Sequence, residues 1–295
     1  MQAFYFAGFR LLTDDRIAEK AARHLVDFTG SAPYTHTFTL CAGDVSEFAA
    51  RYEAAVGSPA VCGTERFSVH KMPDGWALVF PENGGYAQTV LLSTRDYGEM
   101  TVYFAETQYY NEYRQTNLFR SFPFSTCVRL ACESGMGLRN GIPLHASLVE
   151  YAGRGIVFLG RSGIGKSTQA KLWQKYKKSD FISGDRPCMR LLDGVWYGCG
   201  MPWDGKDGLH RQKQVRVCAL VALEQADHNE IRRLAAEEAF AVLLQQTVMP
   251  LWDRNASDAL LPLMNRLSAD IPFYHFKNLA DEAGVNMTLA AVTGE

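Results

Sequence analysis

The 295-residue sequence lacks an excess of charge of either sign. Its 30 lysines and arginines are nearly balanced by 32 aspartates and glutamates, which leaves a formal net charge of −2 at neutral pH. This composition provides no broad basic surface of the kind that nucleic-acid binding needs, so we predict no nucleic-acid partner. The one basic run, residues 175–178, falls where a helix is predicted to end, and the helix dipole favours cations there.

Paired cysteines and long apolar runs are also missing. The seven cysteines show no CxxC pair and no Cys/His spacing, which argues against a disulfide scaffold or a zinc site and is typical of a reducing compartment. No apolar segment approaches the ~20 residues that span a bilayer. The N-terminus has no basic start followed by a continuous apolar run, so no signal peptide is predicted. We expect a cytoplasmic protein with no membrane partner.

The chain up to about residue 108 is predicted to be mainly β-strands. One helix, with Asp44 as its N-cap, interrupts them. Residues 109–135 are apolar at helical spacing, and Pro123 is expected to divide them into two helices. No catalytic motif occurs here. We assign residues 1–138 to a β-rich α+β domain whose candidate role is to bind a substrate or partner, and residues 139–295 to a second domain. The predicted strands are 36–40, 66–72, 76–80, 89–94 and 100–106.

A hairpin is predicted at the start of the second domain. Apolar residues from Leu144 onward form its first arm, Gly153-Arg154-Gly155 its turn, and residues 156–159 its return arm. This interpretation places His145 in the first arm. Many small nucleotide kinases instead have a helix on each side of the corresponding strand, so the hairpin distinguishes this chain from them.

A glycine-rich loop follows the hairpin and precedes a helix predicted over 167–176. The loop has the spacing of a phosphate-binding P-loop: Gly160 is followed by four residues and then by Gly165, Lys166 and Ser167. Backbone N–H groups and the helix N-terminus would bind phosphate oxygens, Lys166 would reach the β- and γ-phosphates, and Ser167 would ligate Mg²⁺. We therefore predict ATP and Mg²⁺ as cofactors. The predicted nucleotide-binding residues are Gly160, Arg161, Ser162, Gly163, Ile164, Gly165, Lys166, Ser167 and Thr168.

A P-loop also needs a downstream carboxylate for its metal. Asp185 follows the short apolar segment 181–184, and Glu224 ends the longer apolar run 215–224. We favour Asp185 as metal ligand and catalytic carboxylate, although Gly184 and Pro187 also fit an Asp that only forms a turn. Lys166 and His145 complete the predicted catalytic set. For His145, a packed strand histidine is the competing interpretation.

The loop 202–214 is also rich in charge. It could contribute to a γ-phosphate site or lie on the surface as a solvated loop, and the sequence does not separate these alternatives. Its ionisable residues are Asp204, Lys206, Asp207, His210, Arg211 and Lys213.

Taken together, the segments LHASLV (144–149), GRSGIGKS (160–167) and SGDRP (183–187) resemble the kinase domain of the HPr serine kinase/phosphorylase family. The resemblance covers about residues 140–225. It implies a fold shared with ATP-dependent phosphoenolpyruvate carboxykinases, with a mixed, largely antiparallel sheet that carries the P-loop, and therefore an α+β protein. It also implies phosphoryl transfer from ATP to a hydroxyl, which in the family belongs to a protein serine, and suggests a homo-oligomer.

The resemblance implies that Lys166 and Ser167 bind phosphates and Mg²⁺, that Asp185 is the metal ligand or general base, and that His145 is its neighbour. One position departs from the family: Gly184 stands where the family has a second aspartate. The missing role could have moved, for example to Glu150 or Asp204. The first half of the chain resembles nothing that we can use.

Three functions are compared on this basis. The leading one is an ATP/Mg²⁺-dependent phosphotransferase acting on a Ser/Thr hydroxyl of a protein or on a hydroxyl of a small molecule. An ABC-type ATPase is disfavoured because the sequence has no LSGGQ-like segment and no apolar run ending in Asp-Glu. The alternative from another class is a nucleotide-binding regulatory or scaffold protein with little turnover, which the missing aspartate favours. Carboxykinase chemistry on a metabolite would need a further Arg/Lys-lined pocket.

Overall fold

The computed structural model describes residues 1–81, 88–105, 124–203 and 210–294. Within these ranges the chain divides into two compact units. The first comprises Met1–Gly135 and Pro250–Ala256, and the second comprises Met136–Met249 and Ser257–Glu295. No helix among the described residues combines the length and the apolar character that crossing a membrane requires.

An eight-stranded sheet forms the frame of the first unit. Its strand order is β1-β2-β3-β8-β7-β6-β5-β4, with β2–β3 and β3–β8 parallel and the other neighbours antiparallel. The strands are β1 Gln2–Phe6, β2 Phe9–Thr13, β3 His36–Ala42, β4 Ala60–Gly63, β5 Ser68–Met72, β6 Gly75–Phe80, β7 Thr89–Thr94 and β8 Glu99–Phe104, and the helices are α1 Asp15–Leu25, α2 Phe48–Val56 and α3 Phe124–Met136.

The sequence predicted five of these strands, β3 and β5 to β8, and missed β1, β2 and β4. β1 and β2 are joined at Ala7 and Gly8, which both have positive φ, and Ala-Gly is not one of the usual hairpin signals. The prediction of a single helix before residue 108 was therefore wrong, since α1 precedes α2. The first helix predicted within 109–135, together with Pro123, lies outside the described residues.

Asp44 caps a different element from the predicted one. Its Oδ1 accepts a hydrogen bond from the Ser46 N–H at 2.9 Å, and the capped element is the short 3-10 turn Val45–Glu47. Helix α2 begins only after this turn. Asp44 is therefore an N-cap as predicted, but the sequence did not predict that the turn it caps is a 3-10 turn rather than the start of the α-helix.

A mixed sheet of nine strands forms the frame of the second unit. Its order is β12-β10-β11-β15-β14-β13-β9, with β17 beside β15 and β16 beside β17. Only β11–β15 and β15–β17 are parallel among the described pairs. The strands are β9 Gly141–Pro143, β10 Ala146–Tyr151, β11 Arg154–Leu159, β12 Asp180–Ser183, β13 Cys188–Leu192, β14 Val195–Cys199, β15 Gln214–Gln225, β16 Glu230–Arg233 and β17 Phe273–Asn278, and the helices are α4 Lys166–Lys177, α5 Ala236–Gln246, α6 Arg254–Asp270 and α7 Glu282–Thr293. The chain thus has an α+β fold with mixed, largely antiparallel sheets.

Strand β11 is buried on both faces of this sheet. Val157 and Leu159 belong to a core cluster that also contains residues of α5 and α6, whereas Ile156 and Phe158 belong to a second cluster with residues of α4 and α7. Because side chains alternate along a strand, each face receives two large apolar groups. Burying each of them contributes roughly 1.5–3 kcal/mol, which holds the strand end before residue 160 in place.

Three local predictions for the second unit need correction. His145 lies between β9 and β10 rather than within a strand, because β9 pairs with β13 and β10 pairs with β11 and β12. The hairpin turn is Ala152-Gly153 and not residues 153–155. The amphipathic pattern of residues 257–268 predicts a helix with Ser257 as its N-cap, whereas α6 begins at Arg254 and Asp253 Oδ1 accepts from the Ala256 N–H at 3.3 Å.

Candidate functional site

The loop between β11 and α4 depends on glycine at three positions. Gly160, Gly163 and Gly165 have φ values of 144°, 80° and 111°, a range that side chains with a Cβ rarely adopt. At Gly160 a Cβ would also lie 2.9 Å from Ile164 Cγ2. Ile164 itself is buried in the core cluster on the α4 side of the sheet. The buried Ile164 side chain and the positive φ values of the three glycines therefore set the path of the loop.

Helix α4 begins without a capping side chain. Gly165 is its N-cap, and the first intrahelical bond runs from the Gln169 N–H to the Gly165 carbonyl at 2.8 Å. The N–H groups of the first helical turn have no acceptor within the helix, and the helix dipole adds positive potential at the same place. Ser162 and Thr168 are exposed on this loop and first turn. The arrangement is suited to bind an anion.

Lys166 turns back over the loop. Its Nζ donates to the carbonyl oxygens of Gly160 at 2.8 Å and Arg161 at 3.2 Å, and lies 3.5 Å from His145 Nε2. The side chain is 7% exposed. Burial lowers the pKa of the ammonium group below its ordinary value, and Asp185 offsets part of this effect. The lysine is thus held beside both the loop and the predicted catalytic pair.

His145 and Asp185 form that pair. His145 Nε2 lies 3.1 Å from Asp185 Oδ1, and Arg186 Nε lies 3.6 Å from Asp185 Oδ2. Burial opposes ionisation of Asp185, but His145, Arg186 and Lys166 together outweigh it and hold the pKa of the carboxyl below its usual range. Asp185 is therefore ionised at neutral pH and able to accept a proton or bind a cation.

Backbone pairing brings these two distant residues together. The Ala146 N–H donates to the Asp185 carbonyl at 2.9 Å, and the Leu144 N–H donates to the Pro187 carbonyl at 3.1 Å. The segments on either side of His145 and of Asp185 are thereby fastened to each other. A third bond, from the His145 N–H to the Gln246 carbonyl at 2.8 Å, fixes the histidine backbone.

Gly184 takes part through its carbonyl group. Ser147 Oγ donates to the Gly184 oxygen at 2.8 Å, and Ser167 Oγ lies 3.4 Å from the same oxygen. Ser167, on the first turn of α4, is therefore adjacent to the residue that precedes Asp185. These contacts connect the helix start to the carboxylate-bearing turn.

The other carboxylates considered from the sequence are engaged elsewhere. Glu224 Oε2 lies 2.8 Å from His275 Nε2. Glu150 forms an ion pair with Lys213, whose Nζ also lies 2.9 Å from Asp180 Oδ2. Asp204 lies outside the described residues. Within the described part of the chain, Asp185 is the carboxylate paired with His145, whose ring lies beside Lys166.

The charged loop is described only in part, since Asp204, Lys206 and Asp207 fall in the undescribed range 204–209. His210 forms an isolated antiparallel bridge with Ser183, and the Arg211 N–H donates to the Ile182 carbonyl at 3.0 Å. The loop therefore ends against the edge strand β12, just before the Asp185 turn.

Sequence reasoning missed one residue at the site and a buried pair behind it. Arg186 contacts Asp185, and its position after the carboxylate was the available signal. Gln169 Nε2 donates to Asn278 Oδ1 at 2.8 Å, and Asn278 Nδ2 donates to the Glu224 carbonyl at 3.0 Å. Both side chains are buried. This pair joins the first turn of α4 to the carboxyl ends of β15 and β17.

The residues present fit a magnesium nucleotide. The uncapped helix start and the lysine suit the phosphates, while the Ser167 hydroxyl and the Asp185 carboxylate are oxygen donors of the type that Mg²⁺ prefers. Mg²⁺ is usually bound through one or two carboxylates together with substrate phosphates and waters. The described residues contain no group of three His, Cys, Asp or Glu side chains able to hold a metal alone, so the phosphates would have to complete the site.

Comparisons with known proteins do not assign the chain to a family. No protein-family model matches it, and no curated protein matches it. Among solved structures, the HPr(Ser) kinase/phosphatase from Coxiella burnetii matches with a TM-score of 0.28 and 14% identity, covering 51% of this chain and 91% of that one. A likeness of this size carries no argument about fold or chemistry. The functional case therefore rests on the residues of the site.

Proposed function

We propose that the chain is an ATP- and Mg²⁺-dependent phosphotransferase that phosphorylates a hydroxyl group, either of a protein serine or threonine or of a small molecule. The observation that carries the proposal is the convergence of Lys166, His145 and Asp185 at an uncapped helix start, with contacts of 3.5 Å and 3.1 Å through the histidine ring. An anion site alone would need neither the histidine nor the ionised carboxylate.

Each residue has a distinct role in this proposal. The loop N–H groups bind the phosphates, and Lys166 neutralises charge on the transferred group. Ser167 and one oxygen of Asp185 would hold Mg²⁺, which supplies further charge neutralisation when bound. The second oxygen of Asp185 orients the acceptor hydroxyl and takes its proton, and His145 fixes the carboxylate in position.

A second candidate function is a nucleotide-binding regulatory protein with little turnover. One observation favours it: position 184 is a glycine, which contributes only its carbonyl group. A second carboxylate at this position would let one acid bind the metal while the other accepts the proton. In that case the loop would bind nucleotide as proposed, and Asp185 would act only as a metal ligand or turn residue. The phosphoacceptor, a cytoplasmic location and a homo-oligomeric state belong to the first proposal and stay predictions.

The test is calorimetric titration of ATP with Mg²⁺, followed by an ADP-release assay, on the wild type and on two variants. Lys166→Ala is expected to lose nucleotide binding. Asp185→Asn is expected to keep binding and to lose turnover by about 10²- to 10⁴-fold, the range for removal of a general base. Lys175→Ala, which removes an exposed lysine from the last turn of the same helix, is the matched control and should change neither quantity.

Three results would contradict the phosphotransferase proposal or one of the residue roles assigned in it. Tight binding by the wild type without any ADP release, unchanged in Asp185→Asn, would favour the regulatory alternative. Full turnover in Asp185→Asn would show that another group accepts the proton. Loss of binding in Lys175→Ala as well would mean that general charge, rather than the loop lysine, holds the nucleotide.

A further inference from the structure

The first unit contains a cleft that is lined by none of the residues used above in the proposed function. Its volume is about 330 Å³, which lies at the lower end of the range for small-molecule sites. β5, β6, the turn after β7 and the segment 253–255 form its walls. The lining residues are Lys71, Met72, Gly75, Trp76, Arg95, Asp253 and Asn255.

The charge of the cleft favours an anion. Lys71 and Arg95 are both exposed along it, and Lys71 forms no ion pair within the described part of the chain. The buried Asp253 carboxylate is already engaged, because Tyr97 Oη donates to its Oδ2 at 3.0 Å and the Ala256 N–H donates to its Oδ1. Arg95 Nη2 donates to the Pro73 carbonyl oxygen at 2.7 Å, an uncharged acceptor. The charges of the two cations are therefore left to meet a charged ligand.

Two buried donors lie against the same part of the sheet. Trp76 is directly opposite Lys71 on one side and Ser93 on the other, so the three side chains share one face. Trp76 Nε1 and Ser93 Oγ are buried and have no hydrogen-bond partner among the described residues. Buried donors without a partner destabilise the folded state and are uncommon in folded proteins.

We propose that this cleft binds a small anionic ligand. Lys71 and Arg95 hold its carboxylate or phosphate group, and Met72 and the Trp76 ring pack against its apolar part. Trp76 lines the cleft, so its indole N–H signal reports on a ligand bound there. The site is separate from the glycine loop and does not depend on the proposed phosphotransferase activity.

The test uses the full chain with ¹⁵N-labelled tryptophan. The chain has five tryptophans, and Trp76→Phe assigns the Trp76 indole N–H signal. Succinate and inorganic phosphate are titrated separately, because the two probes distinguish a carboxylate ligand from a phosphate ligand. Repeating the titrations on Lys166→Ala removes any contribution from phosphate at the glycine loop. A saturable shift of the Trp76 signal with either anion, retained in Lys166→Ala, is the expected result.

Three variants then test the cations. Lys71→Gln and Arg95→Gln should each weaken the apparent affinity several-fold, as expected for loss of one partly solvated charge contact. Arg66→Gln removes an exposed arginine that does not line the cleft and should leave the affinity unchanged. The remaining indole signals report whether each variant is folded. The proposal is overturned if neither anion gives a saturable shift, or if all three variants bind alike.

Discussion

Each unit contains a strand that runs directly into a helix beside a parallel neighbour, and the two helices begin in opposite ways. In the first unit, only Asp14 separates β2 from α1, and its Oδ1 accepts the Ile17 N–H at 2.9 Å while its Oδ2 accepts the Ala42 N–H. In the second unit, the six residues Gly160–Gly165 separate β11 from α4, and no side chain caps the helix.

The difference shows what makes a helix start available to a ligand. Both starts have the same unpaired N–H groups and the same dipole. At α1 the Asp14 carboxylate accepts one of them, from Ile17, and also joins the helix to β3 through Ala42. At α4 three glycines with positive φ hold the backbone open, and Lys166 adds a cation. Anion binding thus depends on the absence of an internal cap as much as on the helix itself.

The largest expected effect comes from giving α4 an internal carboxylate. Gly165→Asp places negative charge at the helix start, where it would compete with phosphate for the N–H groups, and we expect ATP affinity to fall by about 100-fold or more. Gly165→Ala is the control, because it shares the strain at φ 111° without the charge and its Cβ meets no atom within 4 Å. Calorimetry measures the ATP affinity of both variants. An equal loss of affinity in both would show that backbone strain, and not the added charge, weakens binding, and would contradict the contrast between the two helix starts.

The buried amide pair behind the loop offers a second test. Asn278→Ala leaves the Gln169 side chain without its partner, and we expect a loss of about 1–3 kcal/mol in the free energy of unfolding. Nucleotide affinity should fall as well, since the first turn of α4 loses its connection to β17. Urea unfolding and calorimetry measure the two effects. Asn265→Ala, at an exposed position of α6, should change neither, and an unchanged nucleotide affinity in Asn278→Ala would refute the positioning role.

Opening the capped helix start should affect stability alone. Asp14→Ala removes the acceptor for two backbone N–H groups, and a cap of this kind contributes about 1–2 kcal/mol. Asp14→Asn keeps a capping oxygen and should lose less. ATP affinity should be unchanged in both variants. A gain of ATP or phosphate binding at α1 in Asp14→Ala would mean that an uncapped helix start is sufficient without a glycine loop.

The smallest effect is a pH dependence at a third helix start, that of α7. The Gly284 N–H and Asn229 Nδ2 both donate to Asp281 Oδ1 and lower the pKa of this carboxyl below its ordinary value of 3.8. Because the folded-state pKa lies below the unfolded one, the stabilisation is present above about pH 4 and is lost as the pH falls through the folded-state pKa. The stability difference between wild type and Asp281→Ala should therefore be present at neutral pH and vanish in acid, and a difference that persists in acid would contradict this.

The elements around the glycine loop could be predicted because their signals are local. The apolar segment before Gly160, the glycine spacing and the amphipathic helix after it all lie within one short stretch, and β11 and α4 have nearly the predicted bounds. The same reasoning failed at β1 and β2, where the connecting turn carries no strong signal, and at α6, where Asp253 and Ser257 are both acceptable N-caps. In the structure Asp253 accepts from the Ala256 N–H and also from Tyr97 Oη, a residue that lies far from it in the sequence.

The surroundings of the His145–Asp185 pair were less predictable than the two residues themselves. Sequence patterns selected His145 and Asp185 but placed the histidine within a strand. Its actual position, in a break between β9 and β10, exists because those two strands pair with different partners. The Gln169–Asn278 bond links residues 109 positions apart, and no local pattern distinguishes two buried amides that pair from two that are exposed.

By itself, the sequence determined where the glycine loop and the helix after it would form, because glycine conformations and helix initiation are decided by neighbouring residues. Only the tertiary structure decided which carboxylate and which histidine join that loop, since backbone pairing between residues 144–146 and 185–187 creates the contact. The tertiary structure also decided that Glu150 and Glu224 serve other ion pairs. Contacts between distant segments follow from strand order, which depends on the packing of the whole sheet.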